Sequence, residues 1–587
     1  METGGVSNVL GVAWVQESTD SRIDGNTKTG ESFLFWAKLA SSQFLKGEFM
    51  KTRLGAFCCL LLSSVLPAWG QSHENYRTFL TQQVRSPKLS GPQHLRDYVR
   101  DGKLQLSLHD AILLTLQNNS EIQVQESQVE TAKFSLLRAY QPFDPQLQTV
   151  VNANRSSYPG FSQVQGPGTF KNLNQSLQIN YTQTLQTGTA FLVGFNSTKN
   201  SSNSGFTFLN PYDQSFLNLQ VTQPLLRNRW KFPNQAPLII ARKSLQQSRA
   251  AFEAQVSDAL RTAITRYWLV VGARGNLEVD QQSLEAAQAS YAHDKRALEL
   301  GALPPLDIYR SEAEVASRRV QVIQAEYALK QAEDALRFTI GANQDTYVQA
   351  LDLDLTERPD PQGELRAIDT GEALKQAMDK RPEVTAAQRL LEGDDVSVRL
   401  AHNHLLPDLQ LAGFYQGSGV GGNSSFAGVS TQGGIATSLN QIFTFGFPGY
   451  GASLTLSLPV KNRAAQADLG TALVNRHRDL YSMQQVREQI TLDVNNAVHQ
   501  LEEAKLTLAA GKTALDLADK TLAADQRKYQ LGDETVFFLL DAQTRVASAR
   551  AGLLQAQIDY QNAVAGVDYA TGNMLQAYQV QIADMTK

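Results

Sequence analysis

The apolar positions of the C-terminal half fall at alternating steps of four and three: Ile490, Val494, Ala497, Leu501, Ala504 and Leu508. The spacing continues through Gly511, Leu515, Ala518, Leu522, Asp525 and Tyr529. A 3.5-residue repeat is the seam of a coiled coil. The same register occurs 231 residues earlier, at Leu277, Asp280, Leu284, Ala287, Tyr291, Asp294 and Leu298. Even the polar interruption is repeated, Asp294 for Asp525. From about Ala236 to Leu300, and from about Ala464 to Leu531, the only Pro is Pro237. These stretches predict helices of roughly 100 Å at 1.5 Å per residue, far longer than the usual 11–12 residues or so. Each ends at a Leu-Gly pair, where Gly permits a tight reversal. A second helical run then follows, Val322, Ala325, Leu329, Ala332 and Leu336 in one half and Leu553, Ala556, Tyr560, Ala563 and Val567 in the other.

Other stretches alternate with period two, the signature of strands. These are Leu147 to Asn154, then Leu177, Ile179 and Tyr181, then Phe191, Val193 and Phe195, and more loosely Phe216 to Val221. The second half adds Leu409, Leu411, Gly413 and Tyr415, and then Leu454, Leu456 and Leu458. A tight Gln186-Thr187-Gly188 separates the second and third runs, whereas polar stretches at Ser156–Asn172 and Asn200–Asp213 read as longer loops. The Gly/Ser-rich segment Gly417 to Gly451 also reads as a loop. Short turns on one side and long loops on the other, with aromatics such as Tyr158, Phe170, Tyr212, Phe445, Phe447 and Tyr450 near strand ends, suit a transmembrane β-barrel.

The two halves repeat one another. Ala111-Ile112 and Ala373-Leu374 are 262 residues apart, and Glu121 and Pro145 fall on Glu383 and Pro407 at the same offset. Pro224 falls on Pro459 at 235, and Leu300-Gly301 on Leu531-Gly532 at 231. The predicted organisation is an N-terminal arm over 71–103, a first repeat over 104–341, a connecting equatorial segment over 342–368, a second repeat over 369–572 and a tail over 573–587. Before these, Lys51 and Arg53 precede the apolar run Leu54 to Leu66 and a small-residue exit at Ala68 and Gly70, so 50–70 reads as a secretory signal peptide. Met50 is then the expected start, and residues 1–49 an extension of the gene model or a disordered segment.

Composition changes this picture only by exclusion. The 587 residues carry 53 Lys+Arg against 57 Asp+Glu, a formal charge of −4 that gives no basic surface for nucleic acid. Mean hydropathy is −0.29, which excludes a bundle of apolar membrane helices. The only two Cys, Cys58 and Cys59, lie in the signal segment, so no disulfide framework or thiol chemistry is expected. His402-Asn403-His404 has no acidic or Cys partners nearby, and the eight His show no nucleophile–base spacing. No cofactor, resident metal or enzymatic activity is expected. Gly417 to Gly421 resembles a dinucleotide loop only superficially, since no helix is expected to follow it, and it reads as a surface loop.

This order of elements resembles the outer membrane efflux protein family, the TolC-like channels. The carriers are the Leu106-Ser107-Leu108 entry, the Val221-Thr222-Gln223-Pro224-Leu225 and Leu456-Ser457-Leu458-Pro459-Val460 junctions, and the two Leu-Gly turns followed by Leu306-Asp307 and by Phe538 to Ala542. The resemblance covers about residues 104–575. It implies an α+β membrane protein, a homotrimeric outer-membrane β-barrel continued by a long antiparallel α-helical coiled-coil tunnel and built from two internal repeats. Such a channel is a passive exit duct for drugs, metals or secreted proteins. It contacts outer-membrane lipid and docks a periplasmic adaptor and an inner-membrane RND or ABC transporter. The family carries four strands per protomer, and six candidates are present here, so the extra hairpin either enlarges the barrel or folds outside it, with a place in or against the barrel region favoured.

The resemblance also implies a constriction at the periplasmic end. Asp541 matches the family's inner aperture carboxylate, and Phe538 stands where some members have a second one. Asp307 and Tyr529 match positions that hold the aperture closed, and Glu534 replaces an Arg partner, leaving Arg310 as a substitute. Leu300, Gly301, Leu531 and Gly532 form the tips expected to meet the adaptor. The alternatives are a duct for type I protein secretion and, in another class, a periplasmic coiled-coil scaffold.

Overall fold

The computed structural model describes residues 94–580, apart from short segments at 161–167, 205–206, 301–304, 362, 427–428, 432 and 532. The expected signal peptide and residues 1–49 lie outside the described residues, as do Gly301, Gly532 and the last seven residues. Strands β1 (Val99–Arg100) and β2 (Lys103–Leu106) lead into α1 (Leu108–Asn118) and α2 (Ser120–Arg138). Ser107 and Asp110 form a reciprocal capping box at the start of α1, which satisfies N–H groups that the first helical turn leaves without partners. Four strands follow, β3 (Gln146–Pro159), β4 (Thr169–Thr184), β5 (Ala190–Ser202) and β6 (Tyr212–Pro224). Then come the 69-residue α3 (Lys231–Glu299) and the 35-residue α4 (Pro305–Thr339). A short α5 (Thr346–Gln349) and β7 (Asp352–Leu355) link to α6 (Thr370–Lys380) and α7 (Pro382–His404).

The second half continues with β8 (Asp408–Gly422), the small hairpin β9 (Ser424–Phe426) and β10 (Val429–Thr431), α8 (Ile435–Phe443) and β11 (Pro448–Ser457). It closes with α9 (Arg463–Leu531), again 69 residues, α10 (Val536–Ala570), again 35, and a final turn, α11 (Met574–Ala577).

The heptad reading describes the packing closely. Ile490, Val494, Ala497, Leu501, Ala504 and Leu508 are all buried. From Gly511 to Tyr529 every heptad position of α9 is half-buried and every intervening residue exposed. This narrow stripe packs against α10 through Ala556, Tyr560, Ala563 and Val567. In the first half Leu260, Ile264 and Tyr267 of α3 form a second core with Ile112, Leu336 and Ile340. The same core takes in Leu104, Leu106 and Leu353, from a three-stranded sheet in which β2 pairs antiparallel with β1 and parallel with β7. The sheet therefore ties the segment around residue 350 to the start of the described chain.

All six long strands form one sheet in the order β11-β8-β6-β5-β4-β3. The extra hairpin thus lies in the sheet, in line with the other strands, and not outside it. Two loops expected from composition are shorter than predicted: β3 runs to Pro159 and β4 begins at Thr169, and β5 runs to Ser202 and β6 begins at Tyr212. The Gly/Ser-rich segment is also corrected: Gly417 to Gly422 is the end of β8, and α8 lies within the presumed loop. Among the described residues no helix is long and apolar enough to cross a membrane.

Candidate functional site

Strand registry sorts the sheet into two unlike faces. One registered row joins Leu147, Tyr181, Val193, Leu219, Tyr415 and Tyr450 across all six strands. Successive side chains alternate between faces, so Val151, Ile179, Phe195, Leu217, Val221, Leu411 and Leu454 share that side. The opposite side is mostly polar, with Asn152, Gln178, Asn180, Asn196, Asn218, Gln220, Gln416 and Thr455, interrupted by Val150, Leu192, Phe216 and Phe414. The apolar face has little cover: Val151 is 74% exposed and Leu454 64%. In water such a surface is costly, at roughly 25 cal/mol per Å2; against hydrocarbon it costs nothing.

The apolar run also moves across the sheet. On β11 and β8 it extends from the Tyr450–Tyr415 pair toward the helices, as far as Leu456 and Leu409. On β4 and β3 it extends the other way, from Tyr181 and Leu147 to Leu177 and Val151. The displacement is about six residues, or roughly 20 Å, over five interstrand steps of about 4.8 Å. That is an inclination of about 40°, within the range of strand tilts in membrane barrels. Among the described residues neither β3 nor β11 has a strand on its outer edge. At the helical end of the sheet Trp230 is exposed beside Arg229, whose guanidinium stands 5.0 Å from the indole ring.

At the other end of the long helices, Leu300 and Leu531 are 85% and 77% exposed. Just before them the two hairpins are fastened by a buried carboxylate. Asp294 of α3 is fully buried. It accepts a hydrogen bond from the Tyr529 hydroxyl of α9 at 2.5 Å and a second from Ser311 of α4. The His293 ring packs against Tyr529 at a tilt, with ring centroids 5.5 Å apart. Farther along, Arg318 of α4 reaches Thr544 of α10 at 2.5 Å. The heptad pattern shows Asp294 only as a polar interruption; its partners come from other elements and leave no local trace.

The remaining candidates sit nearby but are not all joined. Asp541 lies on the first turns of α10 with its carboxylate 2.8 Å from Arg545, one turn further on. Phe538 is half-exposed and packs edge-on against Phe537 at 5.5 Å. One oxygen of Glu534 lies 3.6 Å from Lys528, and the other is buried without a hydrogen-bond partner. The side chain of Asp307 lies outside the described residues.

Two-faced strands, a pair of 69-residue helices and a sequence match now converge. The family model for outer membrane efflux proteins matches residues 190–342 and 373–573, more than half of the chain. The chain belongs to the outer membrane efflux protein family. This outer membrane efflux protein is 24% identical over 335 residues to the outer membrane protein TolC of Vibrio cholerae, covering 57% of this chain and 72% of that one. It is 21% identical over 280 residues to the probable outer membrane lipoprotein SilC of Salmonella typhimurium, covering 47% of this chain and 55% of that one. In structure it resembles a membrane protein from Pseudomonas aeruginosa with a TM-score of 0.60 at 16% identity, covering 84% and 94% of the two chains. The protein is located in the outer membrane, as its family and its named relatives are.

Proposed function

We propose that three copies of this chain close one β-barrel by pairing the free edge of β3 with that of β11 in the next copy. The helices continue the barrel as a periplasmic tunnel, and the whole is the passive exit duct of a tripartite efflux system. The single observation that carries this reading is the six-stranded sheet with one apolar face and two open edges. Six strands are too few to close alone, and open edges are not tolerated in hydrocarbon. Three copies give eighteen strands. At a tilt of about 40° and a spacing of about 4.8 Å, such a barrel is roughly 36 Å across between backbones, against about 24 Å for twelve strands. The Asn/Gln face then lines a watery lumen and the apolar face meets lipid.

The exposed tips at Leu300 and Leu531, with the adjoining Gly301 and Gly532, dock a periplasmic adaptor that couples the duct to an inner-membrane RND or ABC transporter. Asp541, Phe538, Asp307, Glu534 and Tyr529 form the closing end of the tunnel. Threefold symmetry turns Asp541 into a carboxylate ring beside a ring of Phe538, with Arg545 moderating its charge. Outer-membrane fractionation and heat-modifiable migration as a trimer test the architecture; a soluble periplasmic monomer overturns it. Single-channel recording of Asp541→Asn tests the constriction: block by added divalent cations should weaken, and unchanged block removes Asp541 from the narrowest point.

A further inference from the structure

The helix α8 (Ile435–Phe443) lies directly on the sheet, on the apolar face. A Cβ built on Gly417 would stand 3.3 Å from the Ile442 side chain. On Gly419 it would stand 1.9 Å from the Ser438 carbonyl oxygen, and on Gly421 2.2 Å from that of Gly434. These three glycines occupy the same side of β8 as Leu411 and Tyr415, two residues apart along the strand. They begin where the apolar run of β8 ends, on the side away from the long helices. The helix therefore lies along the outer end of β8, with its C-terminal turn nearest the apolar band.

What it covers is polar. Ser215 is fully buried, and Ser197 and Asp213 are nearly so. The three hydroxyls of Ser197, Ser215 and Ser438 form a chain, 3.0 Å and 2.9 Å apart. Without the helix, this stripe would present hydroxyls and a carboxylate on the face that elsewhere carries Leu, Ile, Val and Phe. What the helix and its exit present outward is different: Ile435, Phe443, Phe445 and Phe447 are each about half exposed or more, and Tyr450 is 82% exposed. From Ile435 to Tyr450 the chain has no charged residue.

We infer that α8 lies outside the barrel wall and forms a collar in contact with outer-leaflet lipid, at the boundary between headgroups and acyl chains. It seals a polar stripe that hydrocarbon could not satisfy and replaces it with aromatic side chains of the kind that gather at membrane interfaces. Its continuity with the apolar face selects lipid as the occupant. An uncharged amphipathic surface of this length inserts its apolar side without needing anionic headgroups. The inference rests on the assignment of the apolar face to lipid, so its test separates the two.

The test uses the full chain with Cys58→Ser and Cys59→Ser and one added cysteine carrying a nitrobenzoxadiazole label. The trimer is reconstituted in phosphatidylcholine vesicles. Labels at Phe443→Cys and, as an independent site, Phe447→Cys are compared with Leu219→Cys on the apolar face and Asn218→Cys on the polar face. Spin-labelled phosphatidylcholine with the nitroxide near the headgroup should quench Phe443 and Phe447 labels at least threefold more than the Asn218 label. Aqueous iodide should show the reverse order. If Leu219 is quenched by lipid while Phe443 and Phe447 behave like Asn218, the helix faces water and the collar is overturned alone. If Leu219 also prefers iodide, the face assignment falls and the collar with it.

Discussion

Two glycines on the same side of β8 differ in what lies above them, and they allow the α8 contact to be measured. A Cβ at Gly413 would meet nothing within 4 Å. Gly413→Ala should therefore be neutral or stabilise by about 0.4–1 kcal/mol, through the unfolded chain. At Gly419 the added Cβ lies 1.9 Å from the Ser438 carbonyl oxygen, so α8 must lift by more than an ångström. Overpacking of this kind costs about 1–3 kcal/mol. Lifting α8 also breaks the hydrogen bond between the Ser215 and Ser438 hydroxyls, worth about 1 kcal/mol. The expected loss is about 2–4 kcal/mol in the free energy holding α8 on the sheet. α8 and its exit carry chymotrypsin sites at Phe443 and Phe445. Where cleavage follows the opened population, the rate should rise about 30-fold to 1,000-fold in Gly419→Ala. Equal cleavage of the Gly419→Ala and Gly413→Ala proteins would refute the close helix–strand contact.

Three further outcomes follow from the helical domain. Arg381 is buried and bonded to Glu383 at 2.7 Å and Asp493 at 2.8 Å, with the Tyr569 ring 5.2 Å away. Arg381→Met should cost about 2–4 kcal/mol in urea unfolding, since both carboxylates lose their partner; Arg381→Lys should recover less than half, because one ammonium cannot replace the fork. Burial and the neighbouring Asp479 push Asp394 up to about 6. A raised carboxyl contributes stability that is complete below its unfolded value of about 3.9 and is lost as pH rises through about 6. Thermal midpoints of Asp394→Asn should accordingly lack the part of the decline between pH 4 and 7 that the parent shows, and identical pH profiles would exclude the assignment. Tyr529→Phe removes a hydrogen bond to a buried carboxylate, worth about 1.5–3 kcal/mol. The open fraction in planar-bilayer recordings should rise about tenfold or more, and an unchanged fraction would place this fastening outside the gate.

The parts legible in the sequence were those with a regular period. The heptads of α9 were readable from Ile490 to Tyr529 because coiled-coil burial depends on spacing alone. The apolar face of the sheet was readable because Leu177, Ile179 and Tyr181 alternate strictly. The outer halves of β3 and β4 were not, because Asn154 to Ser157 pairs with Lys171 to Asn174 through the backbone, with few apolar side chains to mark either face. α8 was concealed by flanking glycines, two of which exist for its close approach to β8. β2 and β7 are four residues each and pair across some 250 positions, so neither has a pattern of its own. At the tip, motif position drew attention to Tyr529, whereas its partner Asp294 meets side chains on α4 and α9 that leave no trace in the spacing.

The junction between β6 and β8 has a consequence for how the chain is made. Strands β3 to β6 are consecutive hairpins, and each can zip onto the last as it emerges. β8 joins them only through pairs such as Pro224 with Gln410 and Tyr212 with Gly422. Closing a flexible loop of about 185 residues costs about 4–5 kcal/mol in chain entropy. Coiling α3 against α4 shortens that loop before β8 arrives, so the helical hairpin acts as a folding strut. Until it sets, the newly exported polypeptide carries a four-stranded meander with an adhesive edge. The connectivity favours setting the helical hairpin before the seam between the halves.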